Sequence, residues 1–139
     1  MKITNYFRKY ADLTLIEKKL FFEALLFLFV AKGMFLIFPF SVCLKTIKKV
    51  QTVKFANTDE LHNIKIAVGR ANKLAFWRNI CLVQSFAARW MLQKRGIASL
   101  LYIGVKKNDT KKIAAHAWLV VNDMEITHKG EDYIVLAVY

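Results

Sequence analysis

The sequence predicts an α+β fold, with helices first and a small antiparallel sheet after them. Three observations predict it. Apolar residues recur at helical spacing as far as Lys94. Gly96 then ends that pattern. From Ile97 onward the apolar period changes to two, and Asn122-Asp123 supplies a hairpin turn.

Residues 1–19 read as a short basic amphipathic lead-in. Within them Thr14-Leu15-Ile16-Glu17 is a capping box, with Thr14 at the N-cap and Glu17 three residues on. The hydrophobic helix that starts there, 14–38, stops where Pro39 discourages continuation. Leu20 to Phe40 is the most apolar stretch of the chain, close to the roughly 20 residues that cross a bilayer. Glu23 and Lys32 interrupt it. About two and a half turns separate them, so they occupy different faces and do not pair. A central lysine costs at least about 2.5 kcal/mol in lipid, and no small-residue cleavage site follows the run. The first reading is a helix buried or covered by a partner. Attachment to a membrane surface comes second, and a true span third.

Ser41 to Ala56 reads as a second helix, with Leu44, Ile47, Val50 and Val53 at steps of three. Cys43, near its first turn, is a core or half-buried thiol. Thr58-Asp59-Glu60-Leu61 opens a third helix through Ile64, Ala67, Val68, Ala71 and Leu74, with His62 on its exposed first turn. Phe76 to Asn79 breaks that helix, and Asn79 caps the next, Ile80 to Lys94. Strands are expected over Ser99–Lys106, Ile113–Val121, Met124–Lys129 and Tyr133–Tyr139, with a turn at Asn108-Asp109-Thr110. Residues 1–75 form a helical region and residues 76–139 a core, within one compact unit.

Composition narrows the function classes. The chain is 56% hydrophobic, enough to bury a core, and Pro39 is its one proline. Two cysteines make no disulfide framework, which points to a reducing cytosol. The net charge is +12, but the basic residues are scattered. Solvated faces explain most of them, and attraction to an acidic peptide or lipid headgroup is the functional reading. No zinc-finger spacing, RNP-like motif or helix-turn-helix signature accompanies the charge, so nucleic acid is not expected. Neither a metal nor a cofactor is implied, because His116 has no second ligand at a usual spacing.

The chemistry centres on Cys81 and His116. Cys81 is the second helical residue after the Asn79 cap, where the positive dipole end favours a thiolate and free N–H groups can receive an oxyanion. His116 lies on an apolar strand between Ala115 and Ala117, with Trp118 on its own face two residues later. A nucleophile–base pair needs these two types within reach of each other. On the residues alone, a buried small hydrophobe and a satisfied core histidine are the simpler readings.

Four pieces in order sharpen the reading: Trp77-Arg78-Asn79-Ile80-Cys81-Leu82, Gln93-Lys94-Arg95-Gly96-Ile97, Ile103-Gly104-Val105-Lys106 and Ala115-His116-Ala117-Trp118-Leu119. Together they resemble the leader peptidases of lasso-peptide biosynthesis, the B2 proteins, from about Phe76 to Tyr139. The hydrophobic N-terminal helix also resembles that of the stand-alone members. The resemblance implies a papain-related, transglutaminase-like core in a bacterial cytosolic cysteine peptidase that removes the leader from a precursor peptide. It implies two protein partners: a leader-recognition protein of B1 type and an ATP-dependent cyclase that closes the macrolactam. By motif match Cys81 is the nucleophile and His116 the base. The same pair also suits an acyl transferase. A non-catalytic, membrane-associated basic module is the alternative from another class.

The family pattern can place an acid about a dozen residues after the histidine to orient it. Here Thr127-His128-Lys129 stands in that place. Asp123 lies seven residues up the same strand, roughly 23 Å away at full extension, which argues against it. A two-residue turn at Asn122-Asp123 would set Lys129 opposite His116 and Thr127 diagonal to it. A three-residue turn would bring His128 onto that face. His128 ranks first as orienter, ahead of Thr127, a backbone carbonyl or Asp132.

Overall fold

Local signals set the helix boundaries. The computed structural model describes residues 2–47, 56–74, 81–107 and 109–139. The basic lead-in contains a helix of its own, α1 (Lys2–Ala11). The capping box then forms as expected. Glu17 N–H donates to Thr14 Oγ1 at 3.3 Å, Thr14 N–H donates to Glu17 Oε2 at 2.8 Å, and α2 runs Leu15–Ile37. Pro39 leads into α3 (Phe40–Lys45), which is shorter than the helix expected over Ser41 to Ala56. Thr46 ends it: its hydroxyl donates to Cys43 O at 2.7 Å, a local bond that competes with helix continuation. Val50 and Val53 of that expectation lie outside the described residues. The next helices are α4 (Thr58–Leu74) and α5 (Cys81–Lys94). The Asn79 cap also lies outside the described residues.

Helix α2 packs on both α4 and α5. It buries Leu20, Ala24, Leu28 and Ala31 at helical spacing, two of them alanines that allow close approach. Helix α5 is central and buried on most sides, with Phe86 edge-on to Phe35 at 4.9 Å and to Trp90 at 5.9 Å. Its end is a Schellman motif. Gly96 sits at φ 71°, its N–H donates to Gln93 O, and Ile97 N–H donates to Leu92 O. Cys43 is fully buried, and burial pushes its thiol pKa up.

One ion cluster joins three helices. Arg95, just past α5, forks onto Glu23 of α2 at 2.6 and 2.9 Å, donates to Met91 O at 2.8 Å and approaches Glu60 of α4 at 4.0 Å. Inside α5, buried Arg89 donates to Tyr139 O at 2.7 Å, and burial lowers its pKa from the usual arginine value.

The sheet is antiparallel with order β3-β2-β1-β4, where β1 is Leu100–Lys107, β2 Ile113–Val121, β3 Met124–Glu125 and β4 Ile134–Val138. Asn122 and Asp123 both take positive φ, as a two-residue hairpin turn requires. The third strand expected through Lys129 stops at Glu125. Leu119 N–H, which a longer β3 would pair, instead donates to the Thr127 hydroxyl at 2.8 Å. The chain therefore leaves the ladder before it could set Lys129 opposite His116.

Glu23 carries a pH-dependent part of the stability. The hydrogen bonds from Arg95, helped by the positive charges of Arg95 and Lys94 and opposed by burial, hold its carboxyl below the usual glutamate range. A carboxylate with a depressed folded pKa contributes fully above its unfolded value and loses that contribution as pH falls through the folded one. Glu23→Gln is expected to cost about 2 kcal/mol near neutral pH. Urea titrations should show the difference shrinking below about pH 4.5; a deficit that stays constant into acid would refute the role.

Candidate functional site

The cleft at the start of α5 is built by three elements. Cys81 and Gln84 come from the first turn of α5, Ala115 and His116 from β2, and Asn72 from α4. Together they line an open cleft of roughly 280 Å³. The structure therefore brings Cys81 and His116 to one site from positions 35 residues apart in the chain. No hydrogen bond joins them among the described residues, as is common before substrate closes a site. Cys81 is half-buried, in contrast to the enclosed Cys43. It is the first described residue of α5, close to where the sequence expects that helix to start and to leave N–H groups without a partner inside it.

His116 is held by its far nitrogen. Nε2 lies 2.6 Å from the main-chain oxygen of His128. A carbonyl only accepts, so the proton sits on Nε2 and Nδ1 keeps a lone pair in the neutral ring. Among the candidate orienters it is a backbone carbonyl, that of His128, that contacts the ring, and not the first-ranked His128 side chain. The His128 imidazole is 86% exposed and stands 3.7 Å from Glu125. Asp132 is exposed at positive φ, and Asp123 stays in its turn. Thr127 is buried and has a different task.

That task is a chain of hydroxyls under the site. Leu119 N–H donates to Thr127 Oγ1 at 2.8 Å. Thr127 Oγ1 and Ser85 Oγ are 2.9 Å apart, and Ser85 Oγ is 3.3 Å from Ala117 O. One proton count satisfies all three contacts. Thr127 O–H donates to Ser85, and Ser85 O–H donates to Ala117 O. Ser85 lies one turn beyond Cys81, and Ala117 adjoins His116. The junction therefore fixes the nucleophile's helix against the histidine's strand, and it fixes the segment whose His128 carbonyl holds the ring.

An aromatic wall completes the seat of His116. Trp118, 2% exposed, stacks on Tyr102 at 5.5 Å and on the His116 ring at 5.9 Å. Tyr133 lies 4.9 Å from the same imidazole. Gly104, directly across the ladder from His116, makes room for the indole. A Cβ there would lie 3.0 Å from Trp118 ring carbons and from Ile134 O. Lys106 over Tyr133 and Lys129 over Trp118 add cation–π contacts at 4.6 and 5.9 Å.

Gln84, Asn72, Ser85 and Tyr133 escape the sequence reading. Gln84 is three residues after Cys81 and so one helical step along the same side, a signal that was available. Ser85 is a polar residue among apolar ones inside a helix, a weaker hint. Asn72 and Tyr133 are placed only by the tertiary fold. Among the described residues Asn72 Oδ1 is buried without a hydrogen-bond partner, an acceptor left over at the cleft.

Two substitutions test this construction. Thr127→Val strands Leu119 N–H and is expected to cost about 1–3 kcal/mol. Gly104→Ala forces the indole or the β4 backbone aside, with a cost of about 1–3 kcal/mol and a displaced His116 ring resonance by NMR. A stable Gly104→Ala protein with unchanged His116 signals would contradict the wall.

The geometry agrees with the one family comparison that finds a match. The Transglutaminase-like superfamily matches residues 34–137, which span α3 to β4 and include Cys81 and His116. No curated protein and no solved structure matches at a significant level. With most of its length covered by that match, the chain belongs to the transglutaminase-like superfamily.

Proposed function

We propose that this protein is a cysteine peptidase that removes the leader from a ribosomally made lasso precursor peptide. One observation carries the chemistry: Cys81 and His116 line one cleft, with the imidazole held through Nε2 so that Nδ1 is free. Membership in the superfamily supports thiol-based acyl chemistry. The lasso assignment rests on the ordered resemblance of the segments around Cys81, Gly96, Gly104 and His116.

In this mechanism His116 Nδ1 takes the Cys81 proton as sulfur attacks the carbonyl carbon of the scissile peptide bond. Negative charge develops on the carbonyl oxygen, and the N–H groups at the start of α5 receive it. The tetrahedral intermediate collapses, the C–N bond breaks, and His116 returns the proton to the leaving amine. Water then attacks the thioester with His116 again as base, releasing the carboxylate and restoring the thiol. Asn72 Oδ1 offers an acceptor for a substrate N–H. An amine in place of water would make the same site a transferase, so product mass separates the two. A leader-recognition protein of B1 type and an ATP-dependent cyclase are the partners of this reading, in a bacterial cytosol.

The test mixes the protein, a recognition partner and the precursor, and follows leader release by mass. Cys81→Ala is expected to abolish release with the fold intact, while Cys43→Ala retains it. His116→Ala should lose at least a hundredfold, in keeping with general base catalysis. His128→Ala should keep most of the turnover, because the carbonyl that holds His116 survives the change. Iodoacetamide should label Cys81 faster than Cys43. Release by Cys81→Ala at the wild-type rate would end the peptidase reading.

A further inference from the structure

Helix α2 has two apolar faces, and the fold uses only one. Leu20, Ala24, Leu28 and Ala31 are buried against α4 and α5. On the opposite side Phe22, Leu26, Phe29, Leu36 and Ile37 stand exposed, with Leu36 at 73% and Ile37 at 76%. At 100° per residue these five fall on one side of the helix. From Phe22 to Ile37 the stripe runs about 22 Å, and Phe38 and Phe40 extend it around the corner into α3. Exposed apolar surface of this extent marks a binding face.

The charges around the stripe are sorted by sign. Both acids of α2 are committed to protein partners: Glu17 to Arg70 at 3.6 Å, and Glu23 to Arg95. Lys18, Lys19 and Lys32 have no ion pair among the described residues. Arg8 and Lys9 close α1, whose Tyr10 packs on Phe21 and Phe22 at 5.5 and 5.6 Å. The family match begins only at residue 34, so most of α2 precedes the shared core.

The geometry points to a bilayer surface with acidic headgroups as the occupant of this face, with α2 lying along the interface. The stripe enters the acyl boundary, and the lysines reach the headgroups on their aliphatic stems. A span fits less well, because α2 would have to leave α4 and α5 and break the Glu23–Arg95 fork. A second copy fits less well, because each copy carries +12. A protein partner fits less well too. Protein interfaces average about one hydrogen bond per 100–200 Å², and these side chains offer none. The inference uses neither Cys81 nor His116 and stands apart from the proposed chemistry.

Sedimentation with vesicles tests it. The full chain should pellet with phosphatidylglycerol–phosphatidylcholine vesicles, bind pure phosphatidylcholine weakly, and bind less as salt rises. Leu26→Asp with Ile37→Asp, both at exposed positions, should lower partitioning at least tenfold at an unchanged melting temperature. Lys18→Gln with Lys19→Gln should weaken it about fivefold per lysine, and this pair serves if the first folds poorly. Cys81→Ala should bind like the parent protein, whatever it does to peptide. Failure to bind acidic vesicles, or binding untouched by either pair, overturns the proposal. So does a vesicle-free dimer that Leu26→Asp with Ile37→Asp dissolves, since the face then belongs to a second copy.

Discussion

The hydroxyl junction of Ser85 and Thr127 is the constraint on which the site depends. Strand β2 has an outer edge that β3 covers for only two residues. Below that point Leu119 N–H and Ala117 O face the region where no strand pairs them. Buried main-chain groups must find partners, and two side chains supply them. One hydroxyl comes from α5 and the other from the segment after β3. Satisfying the edge therefore locks three pieces of chain together: the helix that carries Cys81, the strand that bears His116, and the segment whose carbonyl contacts it. The same short β3 that leaves the edge unpaired frees residues 126–128 to cross it.

The second determinant is steric. An imidazole with one hydrogen bond can still swing about it. Trp118 and Tyr133 remove that freedom by contacting the ring, and Trp118 can lie flat only because Gly104 has no side chain across the ladder. Orientation by a carbonyl and aromatic faces differs from orientation by a carboxylate in its electrostatics. A neutral carbonyl selects the tautomer without the full attraction that a carboxylate would exert on an imidazolium.

The helical half serves the site from a distance. Helix α5 packs against α2, α4 and the sheet, so Cys81 is carried on a helix with contacts on several sides. The Arg95 fork onto Glu23 anchors the far end of that helix. Small residues on the inner face of α2 allow this packing while leaving large ones outside. The helix thus supports the fold on one side and offers an apolar surface on the other.

How much of this was legible depended on range. Signals acting within a few residues could be read directly: the Thr14 capping box, Gly96 past the end of α5, the Asn122-Asp123 turn, and the change of period that separates helices from sheet. Each concerns hydrogen bonds or dihedral preferences inside one short segment, so the residues themselves decide it. The pairing of Cys81 with His116 was suggested by residue type and by family resemblance, because each lies at the kind of element end or strand such chemistry uses. Three things were settled only by the tertiary structure. The length of β3 was decided by a competitor outside the strand, the Thr127 hydroxyl. The orienting atom was a main-chain oxygen, which every residue possesses and no sequence can advertise. The two-faced character of α2 escaped because a helix apolar all round has no period to show which side is covered. Only its packing on α4 and α5 separates Leu28 from Leu26.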